Sequence, residues 1–342
     1  MPDRNIAPLR IVALGGGNGL STLLRGLKRY ARLGVVEITA IVTVSDDGGS
    51  SGRLRREFEV LPPGDIRNCM VALSEDEALL SQLFQYRFPG AGSLKGHSFG
   101  NLFLTAMTHL TGDFAQAVKL SSEVLAVAGR IYPATGSNVM LEATLQDGRK
   151  VRGETRISRS TAPIQKIELR PRAPKPLPEA LHAIAHADLI TLGPGSLFTS
   201  VIPNLLVDGI PQAIAASPAL KAYFTNLMTQ PGETTGFRAS DHLTALLRHA
   251  GRLKRPLIDV CVLNTRPYSR RALEEYRAHA AQPVEPDVPA IHAAGVRVLA
   301  TDLLRLHSRR AEQKIRHDPG ALAAVAIELA EEGRQRSHRI AS

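Results

Sequence analysis

A buried strand that runs into a glycine turn and then an amphipathic helix admits few folds, and the chain begins with that sequence of events. Ile11-Val12-Ala13-Leu14 is an unbroken apolar run, Gly15-Gly16-Gly17-Asn18-Gly19-Leu20-Ser21 turns the chain, and apolar residues recur at helical spacing from Leu20 to Leu33. A second strand pattern follows over Glu37-Ile38-Thr39-Ala40-Ile41-Val42-Thr43-Val44. This is a βαβ opening, whose parallel strands need a helical crossover lying on the sheet. The same order returns later: strand Asp188 to Leu192, glycine turn Gly193-Pro194-Gly195-Ser196-Leu197-Phe198-Thr199-Ser200, helix Ser196 to Val207.

Helical patterns fill Ile66 to Ala128 apart from a loop at Phe88 to Ser93. Val139 to Leu145 and Val151 to Ile157 read as two short strands around an Asp147-Gly148 turn, which signals a hairpin. Arg170 to Pro178 is too rich in proline for a central element and is expected as a surface connector. Strands are then expected at Gln212 to Ala216, Ala222 to Asn226, Ile258 to Leu263 and Val296 to Ala300. Helices are expected from Asp241, over Arg270 to Ala280, and from about Pro319. The fold class is α/β: a Rossmann-like, doubly wound, mostly parallel sheet with a small β-hairpin insertion. The tail Arg334 to Arg339 is expected to fray.

The 342 residues suffice for a full core, and 44% hydrophobic with 22% charged residues is ordinary for a globular chain. Cys69 and Cys261 sit far apart in apolar contexts and read as buried free thiols. The polar start, Met1 to Arg10, carries no signal-peptide pattern, and a cytoplasmic location is expected. The net charge of +10 is spread over Arg53 to Arg56, Arg248 to Arg255 and Arg305 to Arg316, with no tryptophan for base stacking. It reads as an arginine-rich solvated surface that steers anionic small molecules, and nucleic acid is not an expected partner.

Glycine permits positive φ and close approach, so amides at a helix start can face an anion unobstructed. Gly15, Gly16, Gly17, Asn18, Gly19 and Ser21 in the first turn are therefore candidate phosphate ligands. So are Gly193, Gly195, Ser196, Thr199 and Ser200 in the second, whose hydroxyls add donors. The first turn lacks the spacing of the dinucleotide fingerprint and no Gly-Lys-Ser/Thr follows it, so a plain strand-to-helix turn is its alternative. After the second strand come Asp46, Asp47, Gly48, Gly49, Ser50 and Arg53. The two aspartates can take sugar hydroxyls or hold Mg²⁺ on a diphosphate, against the alternative of an Asx turn.

Asp65, Arg67 and Asn68 form a helix entry, where capping alone accounts for Asp65. His97 and Asn101 lie in a similar entry, His97 being either an acid/base or a hydrogen-bonding loop residue. Asn226, Thr229 and Gln230 leave a strand with amides and hydroxyls of the kind that read a base or sugar. Nearly all these segments fall at strand carboxyl ends or helix starts, where open α/β sheets bind ligands. The two glycine turns must meet at one pyrophosphate-sized pocket for them to act together.

Residues 15–28, 44–55, 63–68, 96–101, 192–200, 226–234 and 315–319 resemble, in order, the motifs of the YvcK-type gluconeogenesis factors. These belong to a Rossmann-like superfamily shared with the 2-phospho-L-lactate transferases of deazaflavin cofactor synthesis. The likeness spans roughly residues 9–332, expected as a single CofD-like α/β domain with the hairpin insertion at about 131–170, followed by a basic tail at 333–342. Asn18 stands where the family usually has Thr, and Ser45 where Ala is common.

The resemblance implies a cytoplasmic factor that binds a UDP-N-acetylglucosamine-like nucleotide sugar and is needed for growth on gluconeogenic carbon and for cell shape or envelope synthesis. It implies that residues 15–21 and 193–200 hold the diphosphate, Asp46 and Asp47 the sugar hydroxyls or a metal, and 226–234 the nucleoside. It adds Tyr276 and Arg316 near ligand-contact positions, Arg316 able to fork onto a phosphate. A regulatory protein partner would read the liganded state, and a homodimer is left open.

The alternative is an Mg²⁺-dependent transferase of a phosphorylated group from a nucleoside diphosphate donor. Thr43-Val44-Ser45-Asp46-Asp47 and Gly193-Pro194-Gly195-Ser196 depart from the transferase patterns, and no general base accompanies a nucleophile. A nicotinamide-dependent oxidoreductase has only fold analogy behind it.

Overall fold

Strand β1 (Leu9–Gly15) pairs in parallel with β2 (Val36–Val42), Leu9 opposite Val36 and Gly15 opposite Val42, and α1 (Gly17–Arg32) crosses between them. Leu20, Leu23, Leu24 and Leu27 place one face of α1 in the core. Burying each such side chain contributes about 1.5–3 kcal/mol. Ile11 to Leu14 are buried without alternation because both sides of β1 are covered, which is why that run is apolar throughout. The computed structural model describes residues 7–74, 79–305 and 314–341.

Helices α2 (Gly49–Phe58), α3 (Gly64–Leu73), α4 (Leu79–Gln85), α5 (Phe99–Thr111) and α6 (Phe114–Val124) lead to β3 (Arg130–Pro133). The insertion follows as β4 (Met140–Leu145), β5 (Lys150–Arg152), the single turn α7 (Glu154–Ile157) and β6 (Ile164–Arg170). Next come α8 (Pro178–Ala185), β7 (Leu189–Leu192), a π-helical turn at Leu197–Val201, α9 (Ile202–Leu205), α10 (Ile210–Ala216) and β8 (Leu220–Phe224). The chain continues as α11 (Ala239–Ala250), β9 (Val260–Asn264), α12 (Arg270–Ala278), α13 (Val288–Ala293), β10 (Arg297–Thr301) and α14 (Pro319–Ala341).

The main sheet has seven strands in the order β10-β9-β8-β7-β1-β2-β3, every pair parallel. The winding reverses between β1 and β7, whose register sets Leu14 opposite Leu192. Both strands therefore end side by side at the switch point, where a doubly wound sheet opens a crevice.

The insertion is a three-stranded antiparallel sheet, β5-β4-β6, rather than a lone hairpin, because Ile164 to Arg170 adds a third strand. Glu142 on β4 is buried between Arg152 and Arg170, at 2.6 Å from each. Their hydrogen bonds, Arg170 foremost, hold its carboxyl down at about 2.

Three further expectations need correction. Val151 to Ile157 is not all strand: β5 ends at Arg152, and the Asp47 carboxylate, accepting from Thr155 N at 2.8 Å and Thr155 Oγ1 at 2.9 Å, caps a helical turn instead. Gln212 to Ala216 is helix α10, for Pro211 fits a first helical turn and Ile210 and Ile214 share one buried face. The basic tail does not fray: α14 continues to Ala341, and the Arg334 guanidinium reaches the Ala7 and Pro8 carbonyls and Asp188 Oδ2.

Cys69 and Cys261 are free and buried. Among the described residues no single helix is long and apolar enough to cross a membrane. Parts of the polar start (1–6), the helical stretch (75–78), the basic segment from Arg305 (306–313) and the tail (342) lie outside the described residues.

Candidate functional site

Beyond β1 the backbone is extended at Gly16 and left-handed at Gly17, with φ of +58°, where α1 begins. A Cβ on Gly16 would stand 2.6 Å from Asp65 Oδ2 and 2.7 Å from Thr43 Cγ2, and one on Gly19 only 2.2 Å from the Pro194 carbonyl oxygen. The two glycine turns are therefore in direct contact, and only glycine allows it. α1 has no side-chain cap and no acid in its first turn. Its start is left to the Asp65 carboxyl, which accepts from Gly17 N, and to whatever enters from outside.

A cavity of about 440 Å³ opens at this contact. Gly16, Gly17, Asn18 and Gly19 form one side, Gly195, Ser196 and Ser200 another, and Asn226, Thr229 and Gln230 a third; Asp65, Tyr276 and Arg316 complete the expected group. Tyr276 is a brace, its hydroxyl 3.1 Å from Ile315 N and 3.3 Å from Ile315 O, so it fixes the segment that carries Arg316. The Arg25 guanidinium has its pKa lowered by burial and by the charges of Arg305 and Arg316, which marks a cluster of positive charge.

The second turn is less open than its sequence implies. The Glu233 carboxylate accepts from Phe198 N at 3.3 Å, from Thr199 Oγ1 at 3.1 Å and from Ser158 Oγ at 3.3 Å. An internal carboxyl group thus occupies the helix start where a phosphate was expected, and Thr199 serves Glu233. Burial raises the Glu233 carboxyl against these bonds. Ser196 Oγ accepts from Gln230 Nε2 at 2.8 Å, tying the turn to the 226–234 loop.

The remaining candidates do not line the cavity. Gly15 closes β1, Gly193 packs its backbone by the Phe224 carbonyl, and Ser21 Oγ donates to Gly17 O at 2.9 Å within α1. Asp46 Oδ1 accepts from Gly48 N at 2.8 Å, the Asx turn that was its alternative reading, with Gly49 opening α2. Ser50 Oγ meets His97 Nδ1 at 3.1 Å, Arg53 Nη2 donates to Lys95 O at 2.6 Å, and Asn101 Nδ2 donates to Ser51 Oγ at 3.3 Å. Arg67 Nη2 donates to Asn68 Oδ1 at 2.7 Å. The bonds of Ser50, Arg53 and Asn101 tie α2 to α5 and the loop before it, while that of Arg67 lies within α3. His97 takes part as a hydrogen-bonding residue, through Ser50.

The Asp46–Asp47 pair does not fit a metal as arranged. Asp47 Oδ1 is engaged by Thr155 and Asp46 Oδ1 by Gly48, and among the described residues no group of three His, Cys, Asp or Glu side chains is placed to hold one.

Three cavity-linked residues escaped the sequence reading. Glu154 lay inside a supposed strand, Glu233 in a loop read for its amides and hydroxyls, and His317 beside Arg316. Glu154 is pushed up to about 9 by burial and by Asp65, Asp46, Glu233 and Asp47. Asp65 is pushed up to about 7 by burial and by Asp46, against the Gly17 hydrogen bond and Arg67. His317 Nε2 is 3.2 Å from Thr225 O, and burial pushes it down to about 4, so the ring is neutral and its Nε2–H donates to that carbonyl.

The profile of the family described as 2-phospho-L-lactate transferase CofD matches residues 11–304. The chain is 45% identical over 323 residues to the gluconeogenesis factor of Bacillus subtilis, covering 94% of this chain and 98% of that one. It is 47% identical over 312 residues to the gluconeogenesis factor of Halalkalibacterium halodurans, covering 89% and 95%. A solved protein of the UPF0052 family from Bacillus halodurans superposes with a TM-score of 0.88 at 45% identity, over 94% of this chain and 100% of that chain.

Proposed function

The chain belongs to the CofD family, and from that premise we propose that it is a cytoplasmic factor that binds a nucleotide sugar of the UDP-N-acetylglucosamine type, acting in growth on gluconeogenic carbon and in cell shape and envelope synthesis. The observation that carries this reading is the contact of Gly19 with Pro194 at the switch point, beside which the open start of α1 and Arg316 face one cavity. The diphosphate lies against Gly16 to Gly19, where amides and the helix dipole favour negative charge by roughly 0.3–1 kcal/mol or more. Arg316 adds a charge-assisted hydrogen bond to a phosphate oxygen. Asn226, Thr229 and Gln230 supply polar groups for the nucleoside.

The family's description as a transferase favours a second reading, in which the chain moves a phosphorylated group from a nucleoside diphosphate donor. Among the described residues of the cavity none pairs a nucleophile with a general base, so binding is preferred. Incubating the pure protein with UDP-N-acetylglucosamine, and separately with guanylated phospholactate, distinguishes the two. A calorimetric binding signal with the first and no product with the second supports the binding factor. Turnover of the second supports the transferase, and no binding of either sinks both.

A further inference from the structure

A second cavity of about 510 Å³ adjoins the first, sharing Glu154, Ser196, Thr229, Gln230 and Tyr276 with it. The two differ in chemistry. The first has glycine-turn backbone, Asp65 and Arg316, whereas the second has Ser158, Glu233 and Glu275 together with His279 and Lys314. A ring bearing hydroxyls suits the second, whose lining joins carboxyl, hydroxyl and ammonium groups that accept from and donate to hydroxyls. Among the described residues Glu154 is the only carboxyl in both linings.

Glu154 reaches that wall from outside the main sheet. It begins α7, whose start is anchored to the loop after β2: Asp47 Oδ1 takes both Thr155 N and Thr155 Oγ1. The fit is tight, since a Cβ on Gly153 would stand 2.0 Å from Asp47 Oδ2. We infer that the second cavity takes the sugar of a nucleotide sugar, that Glu154 is the residue by which the protein prefers the sugar nucleotide to the bare nucleotide, and that Asp47 is a positioning residue that acts through Thr155 to hold Glu154 there. This rests on the nucleotide-sugar reading of the same site.

Burial and its acidic neighbours keep the Glu154 carboxyl protonated at neutral pH. It therefore donates as well as accepts, and adds no charge beside a diphosphate. A sugar hydroxyl can both donate to it and accept from it, whereas the phosphates of a bare nucleoside diphosphate offer acceptors alone.

The test titrates wild type, E154A, E154Q, D47A and D47A/E154A with UDP and with UDP-N-acetylglucosamine by calorimetry, with thermal melts to establish that each variant is folded. E154A should weaken the sugar nucleotide by about tenfold or more while UDP changes by less than about threefold. E154Q, which keeps a donor and an acceptor, should stay within about threefold of wild type for both. D47A should weaken the sugar nucleotide alone, and add nothing further in the E154A background. Equal weakening of both ligands by E154A, or none, overturns the inference and leaves the nucleotide reading intact. A wild type that binds neither ligand overturns both.

Discussion

Gly19 faces the carbonyl oxygen of Pro194 so closely that a Cβ at residue 19 would stand 2.2 Å from it. Gly19→Ala must push the two turns apart against a backbone atom that has no flexible end to yield. Such overpacking should cost about 1–3 kcal/mol in denaturant unfolding. Ligand affinity should fall with it, since the separation distorts the start of α1. A variant as stable and as tight-binding as wild type would mean that residues 15–19 shift at no cost.

Arg316→Ala should weaken binding of UDP-N-acetylglucosamine by about 1.5–3 kcal/mol, the range for a hydrogen bond to a charged group. Stability should hardly change, because the side chain is exposed. Unaltered affinity by calorimetry would remove Arg316 from the site.

Glu233 satisfies Phe198 N, Thr199 Oγ1 and Ser158 Oγ at once. Glu233→Ala leaves buried donors without their acceptor, at a cost of about 1–3 kcal/mol in unfolding free energy. Hydrogen exchange at the amide of Phe198 should quicken in the same variant. Protection equal to wild type there would show that the helix start does not depend on the carboxylate.

Asp65, at about 7, and Glu154, at about 9, hold protons in the folded state that they release below these values when unfolded. At these two groups the folded chain binds more protons than the unfolded one above about pH 4, and their contribution to stability declines as pH rises through both folded values to about 9. Glu154→Gln removes one of the two groups, so its melting temperature should fall less than that of wild type between about pH 6 and 9. Parallel curves would place the Glu154 carboxyl in ordinary solvent.

Asp188 joins both ends of the chain, accepting from Arg10 N at 2.8 Å and from Arg334 Nη2 at 2.7 Å. Burial pushes its carboxyl up, but the bonds from Arg334 and Arg10 outweigh it and leave the pKa lowered. Removing residues 334–342 takes away one of these partners and should cost about 1–3 kcal/mol. An unchanged denaturation midpoint would mean that the end of α14 carries no such load.

Local pattern was enough wherever one segment carries its own reason. The run Ile11 to Leu14, the leucine face of α1 and the repeated strand–glycine–helix order determine a doubly wound sheet, because hydrophobic period and glycine geometry act over a few residues. Where neighbours decide, local pattern misled. Gln212 to Ala216 is a short, mostly apolar run but becomes a helix after Pro211, and Glu154 to Ile157 becomes a turn of helix because Asp47, more than a hundred residues earlier, caps it.

The amino-acid sequence by itself determined that two glycine turns follow buried strands and open helices, since both the turns and the strands are contiguous. Only the tertiary structure decided that β1 and β7 lie side by side and bring those turns into contact. It alone also set Glu233 at the second helix start and turned Asp46 and Asp47 away to support the site from behind. Which donor a carboxylate finds depends on residues distant in the chain, and that pairing has no local signature.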